Sequence, residues 1–465
     1  MTKLKRYLRT VTVILIAALV GLTGYFVYSV YSYGSRWYHS SNNTRLQANT
    51  DYVIQGALTD RYGNAIAASS EPNSRYYTDD AALRVSMSQL LGDHFGMTSA
   101  SLEQRFKRVL YGDEKSFLPK MIEAVEDGVI HGETVMLTIE PNVQKTAYNA
   151  MNGRRGAVAA INYKTGEILC SVSLPAFDPA YLSYDQATQA QNGTFVNKVL
   201  QGRYPPGSIF KTVTAASLIE NGQTDVTFDC VGANVMAGTQ ITINCYHGTV
   251  HGALDLTSAF ARSCNGAFAQ WALEGLGAEK LTKTAENFGF NDSFLFADCT
   301  LYDSSFERPA DDYALAWASV GQDKTLLTPL HAAMIAGAVA NDGVMMQPRY
   351  LYATVSASGK ASYAGASVYR RAMSGETAAA VKELMRNVVV NGTGSAASVG
   401  GVSVCGKTGT AEVDNEESHA WFIGFIDSET APYAVAVIVE NAGSGAGAAA
   451  PVAASVLRAC MENLS

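Results

Sequence analysis

Apolar positions change their pattern three times along the chain. From Val11 to about Tyr33 they run without a charged residue, long enough to cross a bilayer as one helix. Lys3, Lys5, Arg6 and Arg9 precede this run and only Arg36 closely follows it, so the positive-inside bias leaves residues 1–10 in the cytoplasm and everything after about residue 34 outside. A cleaved signal peptide is the weaker alternative. The run exceeds a usual h-region, and Tyr25, Phe26, Tyr28 and Tyr31 stand where a small-residue cleavage site would be. These tyrosines and Trp37 suit an outer membrane interface. An uncleaved anchor over 11–33 is therefore expected.

From about Ser40 to Glu140 the pattern is mixed and polar. A strand at Tyr52-Val53-Ile54, a turn at Asp60 to Asn64 and helical spacing of Leu102, Phe106, Val109 and Leu110 are expected. Another strand at Val135 to Ile139 leads to a helix over Asn142–Met151, and a domain boundary is placed near Pro141. The larger part then opens with a hairpin, Gly156–Asn162 and Glu167–Ser173 around Lys164-Thr165-Gly166. Three further strands, Val402–Val413, Ala420–Ile426 and Tyr433–Glu440, come late and precede a helix over Val452–Asn463. Between these two groups, residues 180–390 read as mostly helical, with helices over Ser208–Ile219, Leu256–Leu276, Pro329–Ala340 and Glu376–Val389. Gly443–Ala450, a run of small residues, reads as a flexible loop. The expected architecture is α/β (α+β): a mixed, five-stranded antiparallel sheet carrying a helical insert, an N-terminal pedestal at 34–140, and a main domain at 141–465.

Composition narrows the function. The chain has 465 residues, 48% hydrophobic and 16% charged, enough apolar material for one large domain and a smaller one, and too much for a disordered chain. A formal charge of −8 with scattered Lys and Arg gives no basic face for nucleic acid. Seven cysteines with no CxxC pair argue against a disulfide scaffold, and most are expected to be buried thiols. Cys230 and Cys245, in a Gly-, Asn- and Thr-rich stretch, allow a bridge closing a short loop or two free thiols. His247 and His251 lie four apart with no third ligand in view, so they read as loop residues and no metal site is expected. His419 is expected to play a structural part beside the strand it introduces.

Three short motifs carry chemistry. In Tyr204-Pro205-Pro206-Gly207-Ser208-Ile209-Phe210-Lys211 a helix starting at Ser208 brings Lys211 one turn on, beside the hydroxyl. A serine is a poor nucleophile near neutrality and needs a proton acceptor, which a lysine becomes when burial lowers its pKa. A bare N-cap with a surface lysine has the same spelling. Ser263-Cys264-Asn265, within a predicted helical region, offers a second hydroxyl for proton relay and a carboxamide to orient Lys211 or hold a substrate amide; alone it reads equally as a helix-end cap. Lys407-Thr408-Gly409-Thr410 sits on a predicted strand, where Lys407 can attract a substrate carboxylate, Gly409 lets an extended peptide approach, and a backbone N–H near Thr410 can join that of Ser208 in holding an oxyanion. Separately each is weak, but the order helix, helix, strand in an exported chain is specific.

Together these motifs resemble the active site of the penicillin-binding protein and serine β-lactamase superfamily. Gly156–Pro179, Gly321-Gln322, Thr328-Pro329-Leu330, Asn391 to Gly394 and His419 to Phe422 are similar to class B penicillin-binding transpeptidases, as is Gly56–Gly63, where Gln55 replaces the usual arginine. The resemblance spans about residues 50–440. The short pedestal, the lack of a tail domain and the loop between Cys230 and Cys245 are similar to the small members, the penicillin-binding protein A and cell-division group, that work beside polytopic glycan polymerases.

The resemblance implies a D,D-transpeptidase. Ser208 would attack the bond between the last two D-alanines of a peptidoglycan stem peptide, Ser263 would pass a proton to the departing D-alanine, and an amine of a neighbouring stem would take the acyl group. β-Lactams would acylate the same serine, with no metal or organic cofactor. The implied catalytic residues are Ser208, Lys211, Ser263, Asn265 and Lys407; the implied substrate-binding residues are Thr408, Gly409 and Thr410. A β-lactamase needs a carboxylate that activates water, and neither Glu286 nor Glu307 lies in such a motif. A D,D-carboxypeptidase differs only in its acceptor. A scaffold that activates a polymerase could coexist with catalysis.

Overall fold

The computed structural model describes residues 2–38, 50–115, 117–294, 296–413 and 416–464, and two compact units emerge, residues 1–51 and 52–465. The first unit holds helix α1, Thr2–Tyr38, of which Lys5–Ser29 is apolar and long enough to cross a membrane. Its run of Val, Ile, Leu and Ala exposes apolar side chains all round, the pattern of a helix solvated by lipid rather than by water. The side chain of Trp37 and residues 39–49, where the expected pedestal begins, lie outside the described residues.

The second unit is built on two sheets. Helix α2, Pro141–Met151, starts with proline at its first position and the Glu140 carboxylate capping Asn142, and ends at Asn152 in the left-handed conformation. It leads into strands β1, Gly156–Asn162, and β2, Ile168–Leu174. Both are buried on both faces, so they read as near-continuous apolar runs instead of alternating ones. Strands β3, Val404–Ala411, β4, His419–Ile426, and β5, Tyr433–Val439, complete an antiparallel sheet in the order β3-β4-β5-β1-β2. This is the expected five-stranded sheet, with strands drawn from both ends of the domain. On one face pack α2 and the C-terminal helix Ala450–Leu464 through Val143, Val158, Val437 and Val456; on the other lie the insert helices.

A second, six-stranded sheet joins Leu58–Thr59, Ala65–Ala68, Tyr76–Tyr77 and Thr134–Leu137 to two strands from later in the chain, Leu351–Val355 and Ala361–Tyr363. Gly56 at its start is forced to be glycine, since a Cβ there would sit 2.0 Å from the Glu133 carbonyl oxygen.

The small-residue run after the sheet departs from the loop expectation, and the insert departs from the helical expectation in two ways. It contains short strands at Thr227–Cys230, Ala233–Val235, Thr242–Asn244 and Gly252–Asp255, whose polar alternation and brevity hide them from a search for helical periods. The helix expected over Leu256–Leu276 is broken into Leu256–Ala261 and Asn265–Trp271, followed by a π-helical segment. Gly443–Ala450 is no loose loop: Gly445–Ala448 is a helical turn packed against the sheet, and a Cβ on Gly445 would meet the Trp421 carbonyl at 2.1 Å.

Candidate active site

Ser208 is delivered by a chain segment that only glycine could form. Gly207 has φ +53°, its N–H donates to the Gly321 carbonyl at 2.9 Å, and a Cβ on it would come 2.5 Å from the Thr410 carbonyl oxygen. The turn Gly207–Phe210 is a 3₁₀ helix that runs into the α-helix Lys211–Glu220. In a 3₁₀ turn residues i and i+3 eclipse, which sets Lys211 directly over Ser208. Lys211 Nζ lies 2.8 Å from Ser208 Oγ, 2.7 Å from Asn265 Oδ1, 3.0 Å from the Ser263 carbonyl and 3.3 Å from Ser263 Oγ. The lysine is fully buried, and burial lowers its pKa to about 8, against a smaller upward pull from Cys264 and Cys245. A neutral amine fits these partners: its two N–H groups donate to Asn265 Oδ1 and the Ser263 carbonyl, and its lone pair accepts the Ser208 hydroxyl.

The second motif stands at the helix break. Cys264 N–H donates to the Ala259 carbonyl and Ser263 N–H to the Phe260 carbonyl, the paired bonds of a Schellman motif, with Ser263 at φ +56° in the left-handed position usually given to glycine. This turns Ser263 Oγ toward both lysines, while Cys264 caps the next helix and Asn265 Nδ2 donates to the Asn244 carbonyl at 2.9 Å.

The third motif lies on the edge strand β3. Lys407 is fully buried and its Nζ donates to Ser263 Oγ at 2.8 Å and to the Thr408 carbonyl at 2.9 Å, so it faces the proton-relay hydroxyl rather than an incoming carboxylate as expected. Burial, then the neighbouring Lys211 charge, pushes its pKa well down. Gly409 likewise differs from expectation. Its bare Cα makes room for Ile209, Trp421 and the Pro206 carbonyl, all about 3 Å from where a Cβ would be, rather than for a ligand. Thr408 and Thr410 do line the cavity, with Ser208, Ser263 and Asn265, in a space of about 300 Å³.

The three motifs thus meet at one serine.

A family model for the penicillin-binding protein transpeptidase domain matches residues 156–462, more than half of the chain. The chain belongs to the penicillin-binding protein transpeptidase family. It is 33% identical over 400 residues to "Peptidoglycan D,D-transpeptidase PbpA" of Mycolicibacterium smegmatis, covering 79% of this chain and 80% of that one. Among solved structures it is similar to penicillin-binding protein A from M. tuberculosis in an imipenem acyl-enzyme complex (TM-score 0.80, 28% identity, 89% of this chain and 99% of that one). It is also similar to the D,D-transpeptidase domain of a peptidoglycan glycosyltransferase from Eggerthella lenta (TM-score 0.77, 29% identity, 88% and 99%).

Several residues of this penicillin-binding protein's site escaped the sequence. Thr393, in the Asn391 to Gly394 stretch, hydrogen-bonds Thr408 and lines the cavity. Tyr204 donates to Glu440 Oε1 at 2.7 Å, Glu440 also binds Lys198 and Arg155, and Trp421 Nε1 donates to the Pro205 carbonyl at 3.0 Å, so the turn before Ser208 is clamped from below. His419, the first residue of β4, packs edge-on against Tyr204, 5.6 Å between ring centroids. Glu286 and Glu307 do not line the cavity, and Glu307 is spent on Lys324 at the surface. His251 lies in a loop, and its Nδ1 falls among the sulfurs of Cys230, Cys245 and Cys264, three thiols far apart in the sequence, whereas His247 is exposed in a turn.

Proposed function

We propose that this transpeptidase cross-links peptidoglycan stem peptides through an acyl-enzyme on Ser208 and that β-lactams acylate the same residue. The observation that carries this is the buried Lys211 amine 2.8 Å from Ser208 Oγ. As the serine attacks the carbonyl of the penultimate D-alanine, its proton passes to Lys211 Nζ and the carbonyl becomes an oxyanion facing the backbone N–H groups of Ser208 and Thr410. Collapse breaks the C–N bond, and the leaving D-alanine nitrogen takes a proton relayed from Lys211 through Ser263 Oγ, which the Lys407 N–H holds in place. The acceptor amine then attacks the ester, its surplus proton returns by the same relay, and Ser208 is released. Asn265 holds Lys211, and Thr408 and Thr410, which line the cavity, would bind the peptide in extended form along β3. Gly409 contributes by letting β3 lie against the nucleophile's own turn.

The apolar helix with Lys and Arg ahead of it supports a single-pass anchor at 11–33, residues 1–10 inside and the catalytic part outside. Residues 34–140 would form the pedestal, and with the anchor they are the surface on which a polytopic glycan polymerase of the shape or division type would dock.

Intact mass of the full chain in detergent after penicillin treatment tests the acyl-enzyme. A stable adduct on the native chain and none on Ser208→Ala is expected; an adduct that persists on Ser208→Ala would sink the proposal.

A further inference from the structure

Beside the catalytic motifs, three thiols and one imidazole converge. Cys230 Sγ lies 3.6 Å from Cys245 Sγ and 3.3 Å from His251 Nδ1, Cys245 Sγ lies 3.7 Å from Cys264 Sγ, and all four donor atoms fall within 4.8 Å of one another. A tetrahedral zinc site with Zn–S of about 2.3 Å and Zn–N of about 2.0 Å has S···S edges of about 3.8 Å and S···N edges of about 3.5 Å. The contacts recorded here match those edges. The four donors come from four separate segments: the end of the strand Thr227–Cys230, the residue after Thr242–Asn244, the residue before Gly252–Asp255, and the cap of the helix Asn265–Trp271.

The chemistry around the sulfurs suits thiolates. Ala267 N–H points at Cys264 Sγ at 3.5 Å, and Asn234 Nδ2 donates toward Cys245 Sγ at 3.8 Å. Such N–H groups around a metal thiolate offset its charge and fix its direction. The three cysteines are buried with a small water-facing imidazole as the fourth donor, and an odd number of thiols cannot be satisfied by disulfides: either bridge, Cys230–Cys245 or Cys245–Cys264, strands one sulfur and the histidine. The segments also need fastening. They form two separate two-stranded sheets, each marginal by itself; Ala233–Val235 and Thr242–Asn244 cover a small cluster of Met236, Ile243, Ala269 and Ala316, while Cys230, Cys245, Leu254 and Cys264 join the edge of the main core.

We propose that Cys230, Cys245, His251 and Cys264 bind one Zn²⁺ in a closed Cys₃His site, and that the metal is a positioning element for the second catalytic motif. Thiolate and imidazole donors in tetrahedral array favour zinc over the hard cations, and four protein ligands leave no open position, so the ion takes no part in the chemistry. Its reach to the active site is short. Cys264 lies between Ser263 and Asn265, whose side chains both contact Lys211. Arg262 Nη1 donates to the His251 carbonyl at 2.8 Å and Asn265 to the Asn244 carbonyl, so the metal would hold the loops that hold the motif. Binding is independent of the transpeptidase proposal; only the coupling to acylation rests on it.

The test uses the full chain purified in detergent with zinc present. Elemental analysis should give close to one zinc per chain, and alkylation of the denatured, chelated protein without reductant should modify all seven cysteines. Replacement by Co²⁺ should give thiolate-to-cobalt absorption in the near ultraviolet. His251→Ala should lose the metal, while His251→Cys, which offers a fourth thiolate, should keep it and strengthen that absorption; this pair separates ligation from misfolding. Chelation should slow penicillin acylation about tenfold and leave Ser208 able to react. Five alkylated cysteines without zinc would mean a disulfide and overturn the site, as would zinc retained in full by His251→Ala. Metal binding with unchanged acylation would overturn the positioning role.

Discussion

Two of the catalytic motifs are held by packing and the third by a turn. Ser208–Lys211 and Lys407–Thr410 lie on regular elements pressed together until only glycine fits at their contacts: Gly207 against Thr410, Gly321 against Gly207, Gly409 against Ile209 and Pro206. Ser263–Asn265 instead sits on a left-handed break between two helices, next to short two-stranded sheets at the edge of the core. The first arrangement resists displacement because close-packed backbone cannot yield without loss of many contacts. The second depends on a few local bonds. The Ser263 motif should therefore shift more than the packed pair when the short strands beside it are altered, and Lys211, which it contacts, should report that shift.

The largest effect should come from the lysine that both regions share. Lys211→Ala removes the proton acceptor and one contact each of Asn265 Oδ1 and Ser263 Oγ, and acylation by penicillin should fall by about 10²–10⁴-fold, the usual range for general-base loss. Stopped-flow or gel-based acylation with a fluorescent penicillin measures it; a loss below tenfold would show that another base serves Ser208.

Next comes the packed region. Gly321 has φ +78° and a Cβ there would lie 2.1 Å from the Gly207 carbonyl, so Gly321→Ala should destabilise the chain by about 2–4 kcal/mol, combining left-handed strain with a backbone clash. Gly238, also at positive φ but with open space around it, is the control: Gly238→Ala should lose only about 1 kcal/mol. Thermal melts compare the two, and equal losses would mean that close packing behind Ser208 is not what demands glycine.

The contrast explains what could be read from the sequence. The five strands, the hairpin and the three motifs were legible because their signals are local: apolar runs, a turn, short spacings. Lys211 beside Ser208 needed only three residues of helix. The break at Ser263 was not legible, because Leu256, Ala259 and Phe260 and then Ala267, Phe268 and Trp271 keep a helical period across it, and no glycine or proline marks the left-handed residue. Gly443–Ala450 misled in the opposite sense. Within this run that looks like a linker, Gly445 is there because Trp421 and Gly409 leave no room for a side chain. The direction of Lys407 and the gathering of His251 with three cysteines depend on contacts between residues far apart in the chain, which no spacing encodes.

A titration sharpens the role of burial. Lys211 acts as a base only when neutral, and with its pKa lowered to about 8 the acylation rate should rise through pH 8, level off above it, and fall about tenfold per unit below pH 7. Burial pushes this midpoint down, and Cys264 and Cys245 pull it up. A midpoint near the ordinary lysine value would mean that water reaches the amine.

The finest test separates the turn from the hydroxyl it carries. At φ +56° a serine bears a steric strain that glycine does not, so Ser263→Gly should be more stable than Ser263→Ala by about 1 kcal/mol, although alanine is nearer in size to serine. Both variants lack the hydroxyl that Lys407 and Lys211 contact, so both should lose transpeptidation to a similar degree. If the relay hydroxyl were dispensable and Ser263 served only to shape the turn, glycine would restore turnover along with stability. If the left-handed turn were unimportant, the two variants would melt together. Divergent stability with matched loss of turnover is the outcome expected of a motif whose geometry comes from a strained turn and whose chemistry comes from its oxygen.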